Sequence, residues 1–337
     1  MSEILLNDVE YSLILYAGST KYVLSNLAKN LGWDEGDSEM STRITFALKD
    51  EKTKYGYPSK LLKLGRKCII RAKCGSKDEE VARGKIVNWQ RKTTSGEKLI
   101  TIKCYGPLIA FKSQVHLFFD AGMTTKAIFN ALCKECGVKI GSYKGPNKKH
   151  GKTCYKSKAV TNAVTELLDD AKKHGSSKYF VTEKKDKVVV KPYGFNSAMW
   201  QFTKEHIIST DHTRSTEKIV TRVRVIGQSD KEGRAPVEAT LNGKTKYGIR
   251  QKLVTRSKDD DLAKAKSSAQ DILDDEGDVD DTITITTVDV PFLHKGEKVH
   301  IKFGTMNGNY YVFGVSHDAS TQQMTMKLKT EKFVKRK

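Results

Sequence analysis

The segment that most constrains the fold is residues 293–328, near the C-terminus. Val299 and Ile301 alternate there with polar residues, which is the period of a half-buried strand. A turn signal at residues 307–308 follows, and the alternation then resumes. This pattern predicts an antiparallel meander of three strands, with a fourth strand before it over residues 282–288.

The same succession of signals occurs earlier, in residues 41–105, which indicates an internal repeat. Loop lengths differ between the two copies, so the repeat lies in the pattern and not in residue identity. Two unrelated meanders would give a similar alternation, and that alternative stays open. The pairs that we align between the copies are Gly65 with Gly296, Ile70 with Ile301 and Ile86 with Val315.

Between the two copies the sequence changes character. Helical patterns over residues 124–135 and 158–174 are followed by a hairpin pattern over 179–191, and together they predict an α+β unit. β patterns then return, with a hairpin signal at Asn242–Gly243. One more helix is predicted over residues 259–276.

The predicted fold class is therefore α+β and mostly β, with two similar antiparallel, β-barrel-like domains and an inserted α+β domain. The domain boundaries follow the changes in pattern. We expect a first β domain over residues 1–106, an α+β domain over 107–217, and a second β domain with one helix over 218–337.

The chain is strongly basic, with 60 Lys and Arg against 40 Asp and Glu and a formal net charge of +20. This charge favours an anionic partner such as nucleic acid, a cell-wall polymer or an acidic protein surface, although solvated lysine-rich faces also account for it. No apolar run approaches the ~20 residues that span a bilayer, so no membrane partner is expected. Glu3, Asp8 and Glu10 stand where a secretion signal would be basic, so we expect reduced cysteines.

Four soft ligands, Cys133, Cys136, His150 and Cys154, have a spacing similar to that of a zinc site. Cys133 and Cys136 also continue the apolar face of a predicted helix, so we favour ordinary thiols. The loop over residues 145–153 has five residues between its glycines, whereas a phosphate loop has four. We therefore expect no metal and no other cofactor.

No catalytic constellation is recognisable in the sequence, so the protein is not expected to be an enzyme. The acidic run over residues 274–281 lacks the spacing of a calcium-binding loop. Two histidines close to a serine and an aspartate lack an elbow glycine or another nucleophile context. These four residues are His206, Ser209, Asp211 and His212.

Several short motifs occur in a fixed order along nearly the whole chain. They are Gly65-x-x-Cys68-x-Ile70, Arg83-Gly84-Lys85-Ile86, Cys104-Tyr105-Gly106-Pro107-Leu108, Thr124, residues 221–227, 247–248 and 261–273, Gly296-x-x-Val299, and residues 310–317 and 324–328. In this order they resemble the baseplate hub proteins of contractile phage tails and R-type bacteriocins, in particular the XkdQ/YqbQ-like group. Gly106 stands where that family usually has an aspartate.

This resemblance implies a structural baseplate hub, a homotrimer that matches a hexameric tail tube to a trimeric spike. Two similar tube-like β domains in each of three chains would present six similar units to the tube. The resemblance also implies contacts with the tail tube, spike, tape-measure and baseplate wedge proteins. It implies a place in a virion or phage-tail-like particle made in the bacterial cytoplasm, with DNA in the lumen if the particle is a phage.

The implied trimer needs surfaces on which subunits join. Residues 42–48 and 282–288 carry alternating β-formers without proline, so we predict two sheet edges that pair between subunits. Residues 33–37, before the first of these strands, are interpreted as a turn. The edge residues are Thr42, Ile44, Phe46, Thr282, Thr284 and Thr286. The glycines expected to define the two β domains are Gly65, Gly84, Gly296 and Gly314.

Two other function classes stay open. A basic nucleic-acid-binding protein is supported by the charge and by the zinc-like quartet, and its affinity would fall steeply with salt. A tail-associated cell-wall hydrolase is the other class, but the carboxylate or Cys/His setting that such chemistry needs is not recognisable.

Overall fold

The computed structural model describes residues 9–36, 39–173, 178–256 and 261–334. Glu3, Asp8, residue 37, the end of the helix predicted over 158–174 and the start of the helix predicted over 259–276 lie outside these ranges. The strands are β1 Glu10–Ala17, β2 Thr20–Val23, β3 Lys29–Glu35, β4 Arg43–Lys49, β5 Lys67–Cys74, β6 Lys77–Thr94, β7 Glu97–Tyr105, β8 Gln114–Phe119, β9 Ile140–Tyr143, β10 Thr153–Ala159, β11 Tyr179–Lys184, β12 Lys187–Pro192, β13 Trp200–Thr203, β14 Ile207–Ser215, β15 Arg222–Ile226, β16 Val237–Asn242, β17 Gln251–Thr255, β18 Asp280–Val288, β19 Lys298–Phe303, β20 Met306–Asp318 and β21 Gln323–Lys329. The α-helices are α1 Pro58–Leu61, α2 Thr125–Glu135, α3 Val160–Lys173, α4 Leu262–Glu276 and α5 Glu331–Val334.

The chain forms two compact units. The first contains the described residues up to Thr210 and from Thr284 onward, and the second is Asp211–Ile283. The domain predicted over residues 218–337 therefore spans parts of both units.

A large, mainly antiparallel sheet organises the first unit. Its strands follow the order β14-β18-β21-β20-β3-β4-β7-β6-β5-β1-β2, with β19 beside β20 and β13 beside β19. Within the described ranges no pairing joins β2 to β14, so the sheet is open and the barrel-like form that the sequence predicts is not closed. The reason is that the two meanders continue into each other through β3 and β20 instead of each closing on itself.

The core under this sheet follows the alternation in the sequence. Ile44, Ile70 and Ile102 on β4, β5 and β7 are fully buried. Lys67 and Lys103 occupy the alternate positions and point away from the core. Because residues that pair across strands share a face, the alternation in one strand fixes the faces of its neighbours.

The α+β part of the first unit lies between the two meanders in sequence. Helix α2 begins at its cap Thr124, whose Oγ1 accepts the Ala127 N–H at 3.2 Å, and it ends before Gly137, which has a φ of +65°. Helices α2 and α3 bury their apolar faces against the β11-β12-β9 sheet and the β10-β8 ladder. No helix in the described ranges is long and apolar enough to cross a bilayer.

The second unit is a three-stranded sheet, β16-β15-β17, packed on helix α4 through Ala265, Ala269 and Leu273. Asn242–Gly243 does not close the hairpin that the sequence predicts. The Gly243 N–H bonds the Thr221 carbonyl at 2.8 Å, and the chain crosses over so that β17 pairs parallel to the other side of β15. The turn signal was therefore correct about a change of direction but wrong about the partner strand.

Candidate functional site: the junction between the two meanders

Two groups of four strands in the large sheet have the same internal order. We call β4, β5, β6 and β7 the first meander, and β18, β19, β20 and β21 the second meander. The orders are β4-β7-β6-β5 and β18-β21-β20-β19. In each meander, the strand that comes first in the chain pairs with the strand that comes last.

The hydrogen bonds of the two meanders also correspond. Gly65 N–H bonds the Ile86 carbonyl at 2.8 Å, and Gly296 N–H bonds the Val312 carbonyl at 2.8 Å. Both glycines have a positive φ, +81° and +87°, which favours glycine. Ile86 therefore corresponds to Val312 and not to Val315, so the alignment at that position was wrong.

A β-bulge follows at the same place in β6 and β20. The register shifts between Ile86 and Asn88 in one strand and between Val312 and Gly314 in the other. A bulge adds one residue to one strand, so sequence alignment loses the register there. Gly314 thus lies directly after the bulge of the second meander.

An acid–base pair occupies the same position in each meander. Arg91 on β6 lies 2.8 Å from Asp50, and His317 on β20 donates from Nδ1 to Asp289 at 2.6 Å. The two aspartates make matching backbone bonds, to the carbonyls of Lys98 and Gln322 at the start of β7 and just before β21 respectively. The meanders therefore agree in side-chain chemistry as well as in strand order.

The two meanders differ in the neighbour of their third strand after the bulge. Residues 315–318 of β20 pair antiparallel with β3, which joins the second meander to the first. The Trp33 indole on β3 stacks on the His317 ring, with centroids 4.4 Å apart and planes 9° apart. A Cβ at Gly32 would lie 2.7 Å from the His317 carbonyl oxygen, so only glycine permits this approach of β3 to β20.

Buried polar groups hold this junction together. The Tyr11 hydroxyl donates to Asp289 at 2.5 Å, and the His317 side chain is fully buried. Burial and the neighbouring Asp289 hold the pKa of Tyr11 above its usual value, so this hydroxyl keeps its proton and remains a donor. Loss of one partner of this buried pair would be costly, because the other polar group would remain buried without its partner.

A second pair links β3 to the loop before β19. His294 Nδ1 donates to Glu35 at 2.6 Å, and the Lys295 N–H bonds the other Glu35 oxygen at 3.2 Å. Burial disfavours the charge on Glu35, but His294, His317 and Lys295 together lower its pKa. Glu35 is therefore a charged anchor at the junction.

The β11–β12 hairpin of the α+β part contacts the first meander through a buried carboxyl group. Glu183 accepts the Thr42 N–H at 2.7 Å and the Leu108 N–H at 3.1 Å. Burial raises the pKa of Glu183 to about 7. A Cβ at Gly106 would lie 1.8 Å from a Glu183 oxygen, which explains glycine where the resembled family usually has aspartate.

The same hairpin contacts the second meander. A Cβ at Gly296 would overlap the Phe180 ring, at 2.0 Å from its atoms. At the hairpin turn, Asp186 forms an ion pair with Arg83 of β6. Gly296 thus combines a turn conformation with a close contact, and the hairpin touches both meanders.

The predicted edge strands are interior strands. Strand β4, which carries Ile44 and Phe46 just after Thr42, pairs with β3 on one side and β7 on the other. Strand β18 carries the other predicted residues and lies between β14 and β21. Strands β3 and β14 cover these strands, whereas the sequence pattern indicates a turn over part of β3. The residues on β18 are Thr282, Thr284 and Thr286.

The zinc-like quartet is not assembled as a metal site. Cys133 is buried in the apolar core under α2. His150 uses both ring nitrogens, with Nδ1 at 2.9 Å from Asp170 and Nε2 at 2.8 Å from the Thr125 hydroxyl. In the part of the chain that the structure describes, no group of three His, Cys, Asp or Glu residues is arranged to hold a metal ion.

Two groups of side chains resemble catalytic arrangements, but one is buried and the other makes a local turn contact. Thr125, His150 and Asp170 form a hydrogen-bonded row, yet Thr125 is fully buried and cannot reach a substrate. Its hydroxyl instead donates to the Lys148 carbonyl at 3.2 Å and so holds the loop between β9 and β10. His206 bonds the Thr203 hydroxyl at 2.9 Å, which is a local turn contact.

Sequence reasoning missed Trp33, Glu35, Glu183, His294 and His317. Each acts through a partner far away in the chain, and neither alternation nor spacing carries that information. His317 alone left a signal, because it is a polar residue at a position where the alternation of β20 requires a buried side chain.

The fold is one found in phage tail proteins. The structure is similar to the 43 kDa tail protein of prophage MuSo2 from Shewanella oneidensis, with a TM-score of 0.71 and 11% identity over 96% of this chain and 99% of that chain. It is similar to the tail protein from Neisseria meningitidis MC58, with a TM-score of 0.67 and 16% identity over 96% of this chain and 98% of that one.

A third similar structure is the E. coli c3393 protein, a type VI secretion component described as similar to the T4 tail proteins gp27 and gp5. Its TM-score is 0.51, with 9% identity over 96% of this chain and 79% of that chain. The YQBQ-like family model matches residues 33–331, and the chain belongs to that family. No curated protein matches the sequence.

Proposed function

We propose that the chain is the structural hub of a contractile tail baseplate. In this proposal it forms a homotrimer that adapts a hexameric tail tube to a trimeric spike, and it has no catalytic role. Each chain supplies two tube-like β domains, one around each meander, with the α+β part inserted between them. The proposal is supported by membership of the YQBQ-like family and by a fold found in phage tail proteins.

The observation that carries the proposal is the duplication of one meander, with equal strand order, matching register of β6–β7 and β20–β21, and a bulge at the same place in both. A single chain with two matching modules provides six modules from three copies, which removes the mismatch between a threefold spike and a sixfold tube. A non-duplicated adaptor would need six chains to do the same.

The proposed partners are the tail tube, spike, tape-measure and baseplate wedge proteins, in a virion or a phage-tail-like particle. The test is the stoichiometry of purified tail particles. Quantitative mass spectrometry should find three copies of this chain in each particle. Six copies per particle would contradict the proposed adaptor.

A basic sheet face supports contact with DNA in the lumen as a second element of this proposal. Lys67 and Lys85 pair across β5 and β6, and Lys103 on β7 shares their face, opposite the core. Binding of the purified chain to duplex DNA should weaken steeply as salt rises. Lys85→Gln with Lys103→Gln should reduce the slope, and an unchanged slope would contradict a role for this face.

A further inference from the structure

The edge of β6 after its bulge has no partner strand in the described part of the chain. Strand β6 pairs with β5 over Lys77–Lys85 and with β7 over Lys85–Thr94. The corresponding part of β20 pairs with β21 on one side and with β3 on the other. The same strand is therefore covered on both sides in the second meander and on one side in the first.

The unpaired backbone groups of β6 can be assigned to residues. Ser95 and Gly96 both have positive φ and form the two-residue turn that leads to β7, so Thr94 and Glu97 are its hydrogen-bonded closing pair. By alternation, Arg91 and Thr93 direct their N–H and C=O groups to the uncovered side. The corresponding group in the second meander, Ala319 N–H, bonds the β3 carbonyl of Leu31 at 2.9 Å.

The strand that corresponds to β3 in the second meander is β14. Strand β3 lies beside β4, and β14 lies beside β18, which corresponds to β4. The other side of β3 pairs with β20, whereas β14 has no second partner strand within the described ranges. The His206 carbonyl accepts from the Val288 N–H, so alternation directs the backbone groups of Ile207 and Ser209 to the uncovered side.

Each chain thus has two uncovered strand edges. The β6 edge corresponds to the β20 side of the internal junction, and the β14 edge corresponds to its β3 side. We propose that the β6 edge, residues 89–93, pairs antiparallel with the β14 edge, residues 207–210, of a second copy of this chain. The contact repeats between chains the β20–β3 contact that exists within a chain. It names the subunit interface of the hub, and it therefore rests on the proposed function.

We expect a second copy of the chain at the β6 edge because, within one chain, the corresponding edge of β20 already pairs with a strand of this type, β3. Exposed strand edges are templates for pairing. Strand β14, which corresponds to β3, provides such an edge on every copy of the chain. The contact joins two different edges, so it is head-to-tail and builds a ring when the rotation closes. Apolar residues beside both edges are exposed, Val87 by 49% and Ile208 by 53%, and the contact would cover them.

The test is cross-linking in assembled tail particles. Thr93→Cys and Ser209→Cys are combined in one chain in which Cys154, the exposed native cysteine, is changed to Ser. A short bismaleimide is used, because its reach tolerates a small error in register. The double variant should give covalent trimers after denaturation, and each single variant should give monomers.

The outcomes separate this inference from the proposed function. Particles with three copies of the chain but no cross-link in the double variant would overturn the β6–β14 contact and leave the trimer standing. Covalent dimers from Thr93→Cys alone would show a twofold β6–β6 contact and also overturn it. Particles that do not contain three copies of the chain would overturn the proposed function itself.

A proline substitution provides a matched test. Proline is tolerated on a strand edge where the N–H faces solvent, so Thr93→Pro should leave the melting temperature of the purified chain unchanged. It should reduce incorporation into particles by about tenfold or more, since it removes an interface donor. Thr93→Ala keeps the N–H donor and should assemble normally. Thr94→Pro removes a hydrogen bond to β7 and should lower the melting temperature.

Normal assembly of Thr93→Pro would overturn the contact.

Discussion

Strands β6 and β20 occupy the same position in their meanders and have a bulge at the same place. The basic side chain that follows the bulge differs in its exposure, and so does the strand cover beside it. On β20, which β3 covers, the side chain of His317 is fully buried. On β6, which has no such cover, the corresponding Arg91 is 40% exposed. Both residues pair with a buried aspartate, since Asp50 is 2% and Asp289 1% exposed, so only the setting of the basic partner changes. The histidine is buried where β3 covers the strand, and the longer charged arginine reaches solvent where no strand covers it.

The largest expected loss of unfolding free energy distinguishes the His317–Asp289 pair from the Arg91–Asp50 pair. His317→Ala removes the stack on Trp33 and leaves the Asp289 carboxylate buried without its histidine. Loss of one partner of a buried pair costs about 3–5 kcal/mol. Arg91→Ala leaves buried Asp50 with the Ser59 N–H and with water that reaches the exposed site of Arg91, so it should cost less, about 1–2 kcal/mol. Urea unfolding of both variants measures the difference, and equal losses would show that the cover of β3 does not matter.

The next effect concerns the hairpin contact with the first meander. The pKa of Glu183 is about 7 in the folded chain against an ordinary value of 4.5, so between these values the folded chain holds a proton that the unfolded chain releases. The free energy of unfolding should therefore fall as pH rises through this window, by roughly 3 kcal/mol for this group.

Glu183→Gln should remove that part of the pH dependence. Glu297, whose pKa burial also raises to about 7, should retain a further part. Glu79→Gln, at an exposed position, is the control and should leave the profile unchanged. Urea midpoints measured from pH 5 to pH 8 give the answer, and an unchanged slope in Glu183→Gln would contradict the assigned burial.

The smallest effect tests the close approach of β3 to β20. Gly32→Ala places a Cβ 2.7 Å from the His317 carbonyl oxygen and should cost about 1–3 kcal/mol. Gly308→Ala, with no atom within 4 Å of its new Cβ, should change the free energy of unfolding by less than about 0.5 kcal/mol. If the two variants were equally stable, the β3–β20 contact would be looser than the structure indicates.

The sequence predicted the meanders because their information is local. Alternation in β4, β7 and β21 states which face is buried, and the turns at Gly65 and Gly296 require glycine. It did not predict β3, since Gly32 and Asp34 have turn chemistry and only the long-range contact with β20 makes that segment a strand. The bulges after Ile86 and Val312 were invisible for the same reason.

The predicted edges failed for a related reason. Strand β14 has the sequence Ile-Ile-Ser-Thr-Asp-His-Thr-Arg-Ser, which has no buried face to announce a strand. Without β3 and β14, the strongly alternating β4 and β18 were the outermost strands that the sequence pattern contained. The junction residues Glu35, Glu183 and His294 were beyond prediction, because each finds its partner only after the chain has folded.

A near-atomic cryo-EM density of the hub in an assembled tail particle would show the ring itself. We expect three chains that contribute two meanders each to one ring. In that ring β20–β3 junctions within chains would alternate with β6–β14 junctions between chains. Six chains in the ring, or three chains that contribute one meander each, would contradict this expectation.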